Sequence, residues 1–370
     1  MGSVKKWFAK LDKKRRYILI GSIAGVIVIA CVLILGGVFR KKDTGPKYEI
    51  PEVTDGYVLV FRLVSEYDVT DGAKTARTLC EYDERGNILV KKEKYRHSGY
   101  DEFDRVSEYS YDGEDRPVRI KTTFPSGEFK TEERKYNAGG QLISSETTSG
   151  TELLESCRYQ YDEAGNLALE EHYGADGKLT ESYAYESDEN GFVVFMDQKK
   201  YEGIELWSEM IVRWTRRADG SLVKASFLER EYDVNGVSSE IEREYLYDES
   251  EKLIAEYRVH NGIKFDEIEY ECTYDDNGRL REYMGPSGTT DYYEYDKKGR
   301  VVSIESWDAT MHYVYDSYGN VIKEYLTEKG QSSANITDYT EYTYKPFSVR
   351  RDLLTDDERD RIEREELGKK

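Results

Sequence analysis

Tyr293-Glu294-Tyr295-Asp296-Lys297-Lys298-Gly299-Arg300-Val301 is the stretch on which the reading of this 370-residue chain turns. Side chains alternate along a strand with period 2, so Tyr293 and Tyr295 share one face. Asp296 then stands where a turn begins, and its carboxylate can accept from the backbone two residues on. Two permissive charged residues follow. Gly299 supplies the positive φ that closes a type I turn with a bulge, and Val301 resumes the alternation. The phrase is one β-hairpin, written in nine residues.

The same phrase recurs as CEYDERGNI (Cys80–Ile88), YQYDEAGNL (Tyr159–Leu167), CTYDDNGRL (Cys272–Leu280) and YVYDSYGNV (Tyr313–Val321). Weaker copies are YSYDGEDRPV from Tyr109, RKYNAGGQL from Arg134 and YLYDESEKL from Tyr245. The most degraded are YAYESDENGFV from Tyr183 and VRWTRRADGSL from Val212. The central aromatics are Tyr82, Tyr111, Tyr136, Tyr161, Tyr185, Trp214, Tyr247, Tyr274, Tyr295 and Tyr315, spaced by about 26 residues, within the range of repeat architectures. The turn aspartates are Asp83, Asp112, Asp162, Asp248, Asp275, Asp296 and Asp316. The turn glycines are Gly86, Gly165, Gly278, Gly299 and Gly319, each expected at positive φ. Between copies a second turn is marked by Ser126-Gly127, Ser149-Gly150, Asp176-Gly177, Asn261-Gly262 and Ser287-Gly288. One repeat is therefore two strands and two turns. The expected fold is all-β, tandem antiparallel hairpins forming an elongated sheet or solenoid over residues 57–346, with the motif rings stacked on one another across strands.

This phrase resembles the YD repeat of RHS-type proteins, a mostly bacterial family of secreted or surface-tethered β proteins. The resemblance implies a winding β array, and in long members a shell enclosing a C-terminal toxin domain. This sequence departs from that pattern in having about ten repeats and no cargo-sized domain after the last one. A short open sheet or solenoid is expected in place of a closed cage.

Outside the array, residues 17–39 (YILIGSIAGVIVIACVLILGGVF) carry no charge and are long enough to cross a bilayer as one helix. Seven basic residues precede the segment (Lys5, Lys6, Lys10, Lys13, Lys14, Arg15, Arg16) and three follow it (Arg40, Lys41, Lys42). That asymmetry puts residues 1–16 in the cytoplasm and the repeats outside. A cleaved signal peptide has a shorter apolar run and a small-residue exit. The tetrapeptide Val28-Ile29-Ala30-Cys31 resembles a lipobox, which would make Cys31 a lipidation site; the apolar run continuing beyond Cys31 favours the transmembrane anchor. Residues 40–56 read as a linker. Residues 347–370 read as a charged tail or cap helix, with the capping box Thr355-x-x-Glu358. Such a cap covers the open end of an array, the alternative being a docking helix for a partner.

Composition excludes more than it assigns. The chain holds 54 Lys+Arg against 74 Asp+Glu, a net −20, and residues 43–370 alone carry −29. Nucleic acid is thereby disfavoured, because phosphate binding needs clustered cations. No GxSxG, P-loop, HExxH or Rossmann glycine run occurs, and His97, His172, His260 and His312 fall in different repeats. Cys80, Cys157 and Cys272 lie on the tyrosine face and read as free core thiols. Asp188–Gly191 and Asp275–Gly278 hint at calcium, but Asp, Asn and Gly are what turns require. No cofactor or metal is implied. The expectation is a non-catalytic, membrane-tethered surface-interaction or scaffolding protein whose partner is a surface protein or glycan. The alternatives are a lipid-anchored or toxin-system relative acting in cell competition and, less favoured, a cell-wall glycan-active enzyme.

Overall fold

The computed structural model describes residues 50–53, 57–95, 102–217, 220–260, 263–329, 336–355, 358–359 and 362. The transmembrane segment 17–39, Cys31, the cytoplasmic segment 1–16 and most of the linker 40–56 lie outside these residues. Among the described residues no helix is long and apolar enough to cross a membrane.

The described residues run through 23 antiparallel strands of one sheet. The first eight are β1 (Tyr57–Thr70), β2 (Ala73–Tyr82), β3 (Ile88–Glu93), β4 (Arg105–Tyr111), β5 (Pro117–Thr123), β6 (Phe129–Tyr136), β7 (Leu142–Ser149) and β8 (Glu152–Tyr161). The array continues through β9 (Leu167–Gly174), β10 (Leu179–Ser187), β11 (Val193–Glu202), β12 (Glu205–Arg216), β13 (Leu222–Asp233), β14 (Gly236–Tyr247) and β15 (Leu253–His260). It ends with β16 (Ile263–Glu269), β17 (Glu271–Tyr274), β18 (Leu280–Met284), β19 (Thr290–Tyr295), β20 (Val301–Glu305), β21 (Ala309–Tyr315), β22 (Val321–Glu328) and β23 (Tyr339–Arg350).

Strands adjacent in sequence pair with one another, as a meander requires, except β16 and β17. Two strands are linked head to tail: β16 passes into β17 through Tyr270, whose N–H donates to the Ile254 carbonyl at 3.0 Å. One long-range pairing completes the sheet. β1 pairs with β2 along Ser65–Thr70 and, on its other edge, with β23 from Tyr57↔Arg350 to Val69↔Tyr339. The array thus returns to its first strand, and the elongated sheet does not end in two free edges.

Most strands bury neither face fully, as expected of a sheet over which the described residues lay no helical layer. Among the described residues, two clusters of buried apolar side chains form between sheet neighbours. One comprises Leu280, Tyr293, Val301 and Tyr313, from β18 to β21. The other sits where β1 meets β23 and comprises Val60, Phe347, Val349 and Leu354, with Tyr82, Leu353 and Ile362 packed against it.

That second cluster moves a boundary. β23 runs to Arg350, so the repeat sheet includes four residues (347–350) that the sequence assigned to the tail, and Phe347 and Val349 are among its most buried side chains. Beyond a single 3-10 turn (Arg351–Leu353), the Thr355 N–H donates to Glu358 Oε2 at 3.0 Å. The Glu358 N–H donates back to Thr355 Oγ1 at 3.3 Å, forming the capping box. Glu358 also receives the Arg62 guanidinium of β1 through Nε and Nη2 at 2.9 and 3.0 Å. Burial pushes its carboxyl up, but Arg62 and the Thr355 bonds outweigh that and hold it below the usual value. Leu354, Glu358 and Ile362 therefore dock on the seam between the first and last strands.

Candidate interaction surface

The motif residues build the walls. In each turn the aspartate Oδ1 accepts from backbone N–H groups two and four residues on: Asp83 from Arg85 and Asn87, Asp112 from Glu114 and Arg116, Asp296 from Lys298 and Arg300. Its Oδ2 takes the side chain at the fourth position, as in Asp162–Asn166, Asp275–Arg279 and Asp316–Asn320. Where that side chain is arginine, it also lies over the ring of the next repeat. Arg116 covers Tyr136 at 5.1 Å, Arg279 covers Tyr295 at 4.6 Å and Arg300 covers Tyr315 at 4.4 Å. The Arg279 guanidinium holds Asp275 down to about 2.

The motif tyrosines do share a face, but most of their second rings are held by something other than mutual stacking. Each hydroxyl reaches back to a main-chain carbonyl of the preceding hairpin: Tyr82 to Leu63, Tyr111 to Ile88, Tyr136 to Pro117, Tyr161 to Leu142, Tyr295 to Leu280 and Tyr315 to Val301, all at 2.7–2.9 Å. A half-buried hydroxyl needs a partner, and the bulge after each turn offers a carbonyl there. Tyr274 instead donates to Asp248 Oδ2. Ring stacking occurs at Tyr183–Tyr185, 6.3 Å apart, and burial pushes Tyr185 up to about 12. Tyr247 is half-buried and its hydroxyl is pushed up by that burial. Trp214 stands in β12 in register with Ala225 of β13.

The turn glycines take the positive φ expected of them, with Gly86 at 87°, Gly165 at 92°, Gly278 at 74°, Gly299 at 81° and Gly319 at 97°. In two of the weaker copies a non-glycine residue occupies the same slot, Asp115 at 63° and Glu251 at 58°. Cys80 and Cys157 are buried free thiols, and Cys272 is half-buried.

These turns form one rim of the sheet. The start of β1 and the end of β23 lie on that rim, because Tyr57 pairs with Arg350 and the Arg62 guanidinium donates to the Gly86 carbonyl. The opposite rim carries the second set of turns, and there lies a feature the sequence reading missed. The β11–β12 tip places Ile204 in solvent at 91 % exposure, and the β13–β14 tip does the same with Val234 at 91 %. Ile263, at the β15–β16 tip, is 70 % exposed. Trp207, Val237 and Phe265 stand exposed just below. Trp207 is the extra residue of a bulge, since Lys200 pairs with Ser208 and Tyr201 with Leu206; bulges re-aim side chains in this way. Successive hairpins lie about 10 Å apart, two strand spacings, so the three tips form one apolar strip. Aliphatic residues at the tip of a two-residue turn (Gly203-Ile204, Val234-Asn235) were the available signal.

Residues 274–311 match the RHS Repeat family model. No curated protein matches the sequence. Among solved structures, the chain is similar to one in the TcdB2-TccC3-Cdc42 complex at 15% identity and a TM-score of 0.32, covering 71% of this chain and 16% of that one. It is similar to one in the Photorhabdus luminescens Tc holotoxin pore at 16% identity and a TM-score of 0.33, covering 71% and 15%. A porin-like protein from Bacteroides uniformis is matched at 9% identity and a TM-score of 0.29, covering 79% and 99%. The chain spans about a sixth of the length of the toxin chains it resembles. The motif recurs through the hairpins, and its copies at residues 274–311 match the RHS Repeat model.

Proposed function

We propose that this protein is a non-catalytic interaction scaffold, anchored by residues 17–39 and displaying its repeat sheet outside the membrane. The observation that supports this most is the placement of the apolar strip. Ile204, Val234 and Ile263 lie on the rim opposite the one where β1 begins and β23 ends. A tether at the first rim would hold the strip outward. An exposed apolar patch with a tryptophan beside it suits a protein partner better than a glycan. The net −29 of residues 43–370 adds solubility and repels polyanions.

A photo-crosslinking residue in place of Ile204, in the full-length protein in intact cells, is expected to capture a discrete protein partner. The same probe in place of Glu163, on the opposite rim, is expected to capture none. Equal capture at both positions, or none at Ile204, would refute the assignment.

A second reading, a component of a toxin system, is favoured by the RHS match. It differs in its partner: the captured protein would then be a toxin chain.

A further inference from the structure

The sequence scatters its histidines, yet the sheet brings one of them against a cysteine. Cys157 in β8 and His172 in β9 are direct cross-strand partners. The Cys157 Sγ lies 3.3 Å from His172 Nδ1, and His172 Nε2 lies 2.8 Å from Glu170 Oε1. A carboxylate only accepts, so Nε2 carries the hydrogen; in neutral imidazole Nδ1 is then the acceptor, and the thiol donates to it. Tyr183 from β10 meets the His172 ring edge-on at 5.8 Å and fixes its plane. Burial pushes the thiol up and the charges of Glu155 and Glu170 add to this, while hydrogen bonds from Ser145 and Tyr159 to the sulfur oppose it. The arrangement is a nucleophile, a base and a carboxylate that orients the base.

We propose that Cys157, His172 and Glu170 form a reactive-thiol site whose substrate class is small-molecule disulfides. In the step, the Cys157 proton passes to His172 Nδ1 while Glu170 stabilises the resulting imidazolium. The thiolate attacks one sulfur of R–S–S–R, the Sγ–S bond forms, and the S–S bond breaks. The departing thiolate takes the proton from His172 as RSH. The product is a mixed disulfide at Cys157, a modification of the sheet that needs no further oxidant.

Two internal controls stand in the same sheet. Cys80 is 8 % exposed against 9 % for Cys157, so access does not separate them. Its cross-strand partner is Lys91, whose ammonium is bound to Glu93 at 2.6 Å. Cys272 faces Tyr283, and burial first, then the charge of Asp248 nearby, disfavours its thiolate. Neither has an imidazole across from it.

The test uses the full-length folded protein and the neutral probe bis(2-hydroxyethyl) disulfide, with acid quenching and peptide mass spectrometry to follow each cysteine. Cys157 is expected to form the mixed disulfide at least about tenfold faster than Cys80 or Cys272, a ranking that disappears in denaturant. His172→Gln is expected to bring Cys157 down to the rate of Cys80, and Glu170→Gln to an intermediate rate. The rates of Cys80 and Cys272 in the same samples report whether each variant is folded. A wild-type Cys157 no faster than Cys80 would overturn the proposal without any variant. So would a folded His172→Gln protein that keeps the wild-type Cys157 rate.

Discussion

Gly86 and Gly278 hold the same place in two copies of the motif, yet adding one methyl group to each should have different consequences. At Gly278, φ is +74° and a Cβ would meet nothing within 4 Å. The cost of Gly278→Ala is then the left-handed backbone alone, about 1–2 kcal/mol. At Gly86, φ is +87° and the new Cβ would sit 3.0 Å from both Cβ and Cγ of Phe347. Phe347 is nearly fully buried in the cluster that seals β1 to β23. Its Cβ cannot move without its backbone, so an overpacking cost of about 1–3 kcal/mol is added. Gly86→Ala should therefore cost about 2–5 kcal/mol in all. Chemical denaturation of the full-length variants gives the ranking, and hydrogen exchange locates it. Gly86→Ala should raise exchange across Tyr57–Leu63 and Tyr344–Arg350, and Gly278→Ala only within β17 and β18. Equal losses of stability, or an unchanged β1–β23 ladder in Gly86→Ala, would refute the argument that Phe347 against Gly86 seals the sheet.

Other consequences follow from the repeat contacts. Tyr315→Phe removes the hydroxyl bond to Val301 and should lower stability by about 1 kcal/mol by denaturation, with the ring contact to Arg300 retained. Arg300→Lys loses the paired bonds to Asp296 and the cover over Tyr315, and should cost more than Arg281→Lys, whose guanidinium is exposed. Glu358 is held below the usual carboxylate value, so the stability it contributes is complete above its unfolded value of 4.5. It is lost as pH falls through the lower folded value. Glu358→Gln should accordingly destabilise at pH 7, with the difference from wild type shrinking toward pH 3 in thermal unfolding.

The sequence by itself determined the hairpin. Asp296, Gly299 and the alternation of Tyr293, Tyr295 and Val301 specify a turn, a bulge and two strand faces through contacts no more than a few residues apart. Such local rules survive even where glycine is replaced, as Asp115 and Glu251 show. The tertiary structure decided what depends on distant partners. The pairing of Tyr57 with Arg350 joins segments almost 300 residues apart, and no local motif records it. The bonds from tyrosine hydroxyls to the carbonyls of the preceding hairpin depend on the register and bulges between strands. The same register brings His172 opposite Cys157 and raises Ile204 and Val234 on the rim away from Tyr57 and Arg350. A period-2 pattern tells which face a side chain takes, but its neighbours on that face are set by how the strands slide past one another.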